Sequence, residues 1–149
     1  MPGWNSSAEK IGRQMVNKLQ HRQVIAQDSD IIGARQQGRA IAAKLSFNRA
    51  DQALIATAIS ELARNIVSYA KRGEIEIAEI ILGRRLGLQV IARDKGPGIA
   101  NIDAAMTDGF STGDSLGLGL PGTKRIVDVF EIQSAPGQGV TVRIVKWAR

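Results

Sequence analysis

The sequence predicts an α+β fold, a two-layer sandwich in which helices cover one face of a mixed, mostly antiparallel sheet. Two observations carry most of that expectation. Before residue 72, two long segments repeat apolar residues three and four apart, as helices with a buried face do; after it, four short segments have the alternating or continuous apolar character of strands. A third is negative: no internal repeat, low-complexity tract or linker divides the 149 residues, a length suited to one domain.

Taken in order, residues 1–20 read as a polar extension with one short helix over Ala8–Leu19, and residues 21–149 as a single domain. Arg22–Gln27 is an opening strand. Asp28, Ser29 and Asp30 then offer oxygens to the unpaired amides of a helix start. That helix runs to about Leu45, with Ala34, Gly38, Ile41 and Leu45 on one apolar face and Arg35, Gln36, Arg39 and Lys44 off it. A second helix spans Arg49–Lys71, capped by Asn48 and closed by Gly73. Ala50, Leu54, Ile55, Ala58, Ile59, Leu62, Ile66 and Tyr69 nearly encircle it, so it belongs at the centre of the domain. Strands follow at Glu74–Leu82 and Gly87–Arg93. A glycine-rich stretch, Lys95–Leu120, holds a short helix at Asp103–Asp108. Pro121 suits the first turn of a helix that continues through Gly122–Phe130. Glu131–Ser134 and Gly139–Lys146 close the chain as two strands joined by a Pro136-Gly137 turn.

Composition removes several chemistries. There is no cysteine, which excludes disulfides, thiolate metal sites and cysteine nucleophiles, and His21 is the only histidine. No window approaches about 18 consecutive apolar residues, and the first twenty residues lack the apolar run of a signal peptide, so the expectation is a cytoplasmic protein with no membrane partner. The net charge of +6 fits an anionic partner. Nucleic acid is not the expected one, because aromatic residues make up only 4% of the chain and the basic residues are scattered.

Three local patterns carry chemistry. Thr57, Glu61, Asn65 and Ser68 form a polar line along the otherwise apolar second helix, each three or four residues from the next. A carboxylate and a carboxamide one turn apart can orient a water and ligate a hard cation such as Mg²⁺, which keeps several waters and shares substrate phosphates; the same line would also serve as a solvated helix face. Asp94-Lys95-Gly96-Pro97-Gly98-Ile99 leaves a strand end with a carboxylate able to accept from an exocyclic amine and two glycines that admit a flat ring, or is an ordinary turn. Gly113-Asp114-Ser115-Leu116-Gly117-Leu118-Gly119-Leu120 runs into the helix opened by Pro121, where free amides can cradle phosphate, with Lys124 and Arg125 nearby; otherwise it is a surface loop. It matches neither a Walker A loop nor a dinucleotide fingerprint. Asn101–Thr112, between the second and third patterns, has a length suited to a lid.

In this order the patterns resemble those of the GHKL ATPases, which share the Bergerat ATP-binding fold: Glu61 to Asn65 their N box, Asp94 to Gly98 their first glycine box, Gly113 to Gly119 their second. The resemblance runs from about Val24 to Arg149. The stretches ISELARNIVSYA, DKGPGI, DGFSTGDSLGLGLPGTKRIVD and KWAR are similar to the switch-protein serine/threonine kinases of the bacterial stressosome, a branch related to the anti-sigma-factor kinases. The resemblance implies ATP and Mg²⁺ as cofactors, with Asn65 the metal ligand and Glu61 the catalytic base. It implies that Asp94 reads adenine with Thr141 behind it, that Gly96 and Gly98 shape the adenine pocket, and that Gly113, Gly117, Leu118 and Gly119 hold the phosphates. It further implies STAS-domain proteins as substrates and activation of a downstream partner, typically a PP2C-type phosphatase.

Alternative readings are an anti-sigma-factor kinase that binds a sigma factor directly, and a binding module in which ATP chiefly orders the lid. A histidine-kinase catalytic domain fits less well, since no two-helix dimerisation segment is present and His21 is a poor phosphoacceptor. Arg64, beside the N box, reads either as a phosphate contact or, preferentially, as a helix-surface charge. The sequence favours neither a monomer nor a dimer.

Overall fold

The structure, a computed structural model, describes residues 15–98, 106 and 119–149. Strand β1 spans Met15–Ile25, helix α1 Asp28–Lys44, helix α2 Arg49–Asn65, β2 Gly73–Leu82, β3 Arg85–Asp94, helix α3 Gly119–Ile126, β4 Val129–Ser134 and β5 Val140–Trp147. The strands form one sheet in the order β1-β2-β3-β5-β4. All four pairings are antiparallel. This is the expected α+β sandwich.

The helix starts follow from local chemistry. The Asp30 carboxylate reaches back to accept the amides of Ala26 at 2.9 Å and Gln27 at 3.1 Å, fixing the entry to α1. At the start of α2 the Asn48 side chain accepts the Asp51 amide at 2.8 Å. The helices cover one sheet face, where Ile75, Ile77, Leu88, Val90, Ala92, Val142 and Ile144 meet Ile55, Ile59, Leu62 and Ile66 of the central helix. Ile59, Ile75, Ile77 and Val90 are completely buried.

Several boundaries differ from the sequence expectation. Met15–Leu19 is strand, so the helix expected over Ala8–Leu19 is not formed in its described part, and β1 begins well before Arg22. Its pairing with β2 runs from Met15↔Leu82 to Ile25↔Gly73, with a bulge between Leu19 and His21. Partners 48 to 67 residues away dictate this strand. The second helix stops being α at Asn65, continues as a π-helical turn over Ile66–Ala70, and ends at Lys71, whose φ is +68°. Gly73 is already in β2. Helix α3 begins at Gly119 and ends at Ile126, short of the expected Phe130, because Asp128 donates its amide to Val145 O at 2.9 Å and Val129 pairs with Val145. No helix among the described residues is long and apolar enough to cross a membrane.

Candidate nucleotide site

Helix α2 delivers two polar side chains at its C-terminal end. Glu61 is only 2% exposed, Asn65 is half-buried, and they lie four positions apart, so they stack on one side of the helix. The π-helical turn begins at the next residue; such turns recur where a helix is adapted to function. It also breaks the predicted polar line. Thr57 is half-buried and continues the line backwards, whereas Ser68, inside the π-turn, is exposed and leaves it.

The π-turn brings this helix end against the end of β3. A β-carbon on Gly73 would lie 2.4 Å from Arg93 O, 2.8 Å from Ile66 Cγ2 and 3.1 Å from Asp94 Cβ. The residue after Asn65 is therefore one glycine's width from Asp94. Two residues further along, a β-carbon on Gly96 would meet Ala70 Cβ at 2.6 Å and Ala70 Cα at 2.8 Å, so the Asp-Lys-Gly turn rests on the end of the π-turn. Glycine at both positions is a packing requirement.

Asp94 is oriented by main chain. Its Oδ1 accepts the amides of Gly96 at 2.9 Å and Val140 at 3.2 Å. Two such bonds fix the plane of the carboxyl group and leave Oδ2 outside that pair. The turn is clasped from the other side by the link between β4 and β5, where Pro136 and Gly137, the latter with φ +74°, make a turn closed by Gln138 N to Ala135 O at 3.0 Å. Gly137 also donates its amide to Pro97 O at 2.6 Å. Gly98 has φ +79°, and a β-carbon there would sit 2.1 Å from Ala135 O, so both conformation and space require glycine.

Thr141 was expected behind Asp94, but Val140, Val142 and Ile144 are the β5 residues that turn toward the helices. Thr141 alternates to the opposite face, across from Arg93 and Gln133. The group on β5 that holds Asp94 is the Val140 amide, and Val140 is the register partner of Asp94. Sequence reasoning missed Val140 because an amide leaves no side-chain signature; its position directly after Gly139 was the available signal.

Gly113, Gly117 and Leu118 lie outside the described residues, as does the expected Asp103–Asp108 helix apart from Met106. Gly119 opens α3, buried, and its carbonyl accepts the Thr123 hydroxyl at 2.9 Å. Lys124 and Arg125 are both exposed on that helix. Behind Asp94, on the other sheet face, Arg93 pairs with Glu76, which also accepts Arg22 Nε at 2.9 Å. Burial pushes the Glu76 carboxyl up, but the hydrogen bonds from Arg93 and Arg22 outweigh it and hold the group below the usual range.

No cluster of three or more His, Cys, Asp or Glu side chains suited to a metal occurs among the described residues. The donor set nevertheless fits Mg²⁺ held jointly with a nucleotide, since one carboxamide oxygen beside a carboxylate suffices when phosphates and water supply the remaining positions. The glycine-walled turn at Asp94 fits a flat base.

Residues 50–148 match the family described as histidine kinase-, DNA gyrase B-, and HSP90-like ATPase. Serine/threonine-protein kinase RsbT of Bacillus subtilis is 51% identical over 120 residues, which cover 80% of this chain and 90% of that protein. Anti-sigma F factor of Caldanaerobacter subterraneus subsp. tengcongensis is 31% identical over 137 residues, covering 88% of this chain and 94% of that one. Among solved structures, the RsbU and RsbW domains of Rv1364c from Mycobacterium tuberculosis superpose with a TM-score of 0.56 at 22% identity; the match covers 87% of this chain and 33% of that longer one, a likeness of fold. The chain belongs to the histidine kinase-, DNA gyrase B- and HSP90-like ATPase family, in its serine/threonine-protein kinase branch.

Proposed function

We propose that this kinase transfers the γ-phosphoryl group of Mg-ATP to a serine or threonine of STAS-domain antagonist proteins in a cytoplasmic bacterial partner switch. Released from those proteins, it activates a downstream partner such as a PP2C-type phosphatase. The observation that carries the nucleotide part is the junction at Gly73 and Gly96, which packs the Glu61–Asn65 end of α2 against Asp94.

Phosphoryl transfer asks mainly for positioning and charge neutralisation. Asp94 would accept the exocyclic amine of adenine on Oδ2 while Gly96 and Val140 hold Oδ1. Gly96 and Gly98 keep the turn free of side chains where the ring lies. Asn65 would hold Mg²⁺, which supplies neutralisation of phosphate charge when bound. Glu61, buried and one turn back, would take the proton of the incoming hydroxyl. Gly113, Gly117, Leu118 and Gly119 are proposed to hold the phosphates.

The test is to mix the purified chain with STAS-domain proteins and labelled ATP: label on a serine or threonine supports the proposal, and none on any of them refutes it. A second reading, an anti-sigma-factor kinase that binds a sigma factor directly, draws on the anti-sigma F factor likeness. Affinity capture separates the two, recovering a sigma factor in one case and STAS proteins with a phosphatase in the other.

A further inference from the structure

At the opposite end of β3 from Asp94, a recess of about 470 Å³ is lined by Arg85, Asp128, Trp147, Ala148 and Arg149. Strand register explains its floor. Trp147 pairs with Gly87, and a β-carbon on Gly87 would lie 2.7 Å from Trp147 Cε3, so the indole rests where the main chain is bare. Arg85 shares the strand face of Gly87 and lays its guanidinium over the indole, 4.2 Å from the ring centroid. Arg149 is tied through Nε, 3.3 Å from the buried Asp51 carboxylate, while 70% of its side chain stays exposed.

Both guanidinium groups are positioned yet have donors to spare. Stacking occupies the face of the Arg85 group and leaves its N–H bonds pointing outward in the plane. No acidic side chain pairs with Arg85 among the described residues. Asp128 neutralises little, because its Oδ2 accepts the Trp147 amide at 2.7 Å and Lys146 Nζ stands 3.9 Å from its Oδ1. The recess therefore holds surplus positive charge on groups already anchored, and a carboxylate bound there orders little that was free. Nucleic acid fits less well, since Arg85 covers the indole face on which a base would stack. The volume exceeds what one small anion fills, and tryptophan and arginine are the residues enriched at the energetic centres of protein interfaces.

We infer that this recess docks an acidic segment of the downstream partner, whose carboxylates meet Arg85 and Arg149 while an apolar neighbour packs against the edge of Trp147. The inference rests on the part of the proposed function in which such a partner is activated. Position separates this surface from the transfer chemistry. Arg85 and Asp94 end the same strand, about 30 Å apart. Asp51, against which Arg149 lies, is about 15 Å along α2 from Glu61. A partner held here leaves the nucleotide and the acceptor hydroxyl untouched, so partner binding and phosphoryl transfer use different ends of one domain.

The experiment uses the full chain with its Arg85→Glu and Arg149→Gln variants, and a PP2C-type phosphatase and a STAS-domain protein from the same organism. Arg85→Glu should raise the kinase concentration that gives half-maximal phosphatase activation by about tenfold or more, the scale on which interface arginines act, and Arg149→Gln should raise it less. KM and kcat for transfer to the STAS protein should not change, and Arg85→Glu should melt with the unaltered chain, because its side chain is exposed. Changing one Asp or Glu of the phosphatase to Lys should restore activation by Arg85→Glu, a coupling that lost packing alone would not show. Half-maximal activation at an unchanged concentration with Arg85→Glu overturns the inference. So does a raised KM for the STAS protein at unchanged activation, which would assign the recess to the acceptor. If the unaltered chain labels the STAS protein but activates no phosphatase, the downstream part of the proposed function fails and this inference falls with it.

Discussion

Helix α2 carries a buried carboxylate at each end, and the two ends are built differently. In the first turn Asp51 is 1% exposed; Arg149 Nε stands 3.3 Å and Lys146 Nζ 3.9 Å from its oxygens, and Lys146 also lies 3.9 Å from Asp128. This end is regular helix, capped by Asn48 and tied to β5 by charge. In the last turn Glu61 is just as buried at 2%, but the helix there opens into a π-turn and meets neighbouring backbone through contacts only glycine allows. Burial of an acid therefore does not mark a site. What distinguishes the C-terminal end is the cradle around it: amide-held Asp94, the positive-φ turn at Gly98 and a carboxamide one turn from the acid.

The contrast breaks most sharply under paired substitutions. Glu61→Gln should lower phosphoryl transfer by roughly 10²–10⁴-fold, the usual worth of a positioned base, and Asn65→Ala should abolish it, while both variants unfold at the same temperature as the unaltered chain. Asp51→Ala should do the reverse. Leaving Lys146, with 9% of its side chain exposed, without its buried counter-charge should cost about 3–5 kcal/mol of stability, with little change in activity per folded molecule. Thermal melts beside a transfer assay decide it, and equal transfer by Asn65→Ala would remove the metal role.

Next in size is Gly98→Ala. At φ +79°, with Ala135 O 2.1 Å from the new methyl, the turn must rebuild, at a cost of about 1–3 kcal/mol and with weakened ATP binding. Denaturant unfolding and calorimetry read the two effects. Gly137→Ala is the control: it shares a positive φ but has nothing within 4 Å, so strain alone should appear, without loss of nucleotide affinity.

Those two glycines show how much could be read from the chain. The order of elements, the central helix and the Asp94 turn were legible because each rests on local pattern: apolar periodicity, Asn48 before a helix, Pro-Gly in a turn. What escaped depends on partners far along the chain. Met15–Leu19 mixes Met15, Val16 and Leu19 with Asn17 and Lys18, a pattern that suits a short helix as well as an edge strand; only pairing with β2 settles it. The π-turn has no propensity signal, so the polar line was carried through to Ser68. Thr141 drew attention as a hydroxyl, while the β5 group seen to hold Asp94 is the amide of its neighbour Val140. Side-chain chemistry can be scanned in a sequence, whereas main-chain donors become visible only once the strands are in register.

A smaller effect is expected at Asp94 itself. In Asp94→Asn one amide end must face either the Gly96 and Val140 N–H groups or the ligand, and it cannot accept from both. ATP affinity should fall about tenfold or more, as for loss of one charged hydrogen bond, with the fold retained. An unchanged dissociation constant would remove the adenine assignment and leave the turn a structural one.

The smallest effect lies just behind this site, where Glu76 is held by Arg93 and Arg22. Its pKa is lowered from 4.5, so the unfolded chain takes up the proton at a higher pH than the folded one. The stabilisation is therefore fully present above about pH 4.5 and is lost as the pH falls through the depressed folded value. Glu76→Gln should remove this part of the acid sensitivity: its stability should be lower than that of the unaltered chain at neutral pH, and the gap should close as the pH drops below 4.5. The change should be a fraction of what Asp51→Ala costs, because the Arg22 side chain is 57% exposed and solvent screens its share, and Glu76 belongs to neither end of α2. Urea unfolding of both chains between pH 3 and 7 measures the gap; a gap that stayed constant across that range would mean the ion pair contributes packing alone.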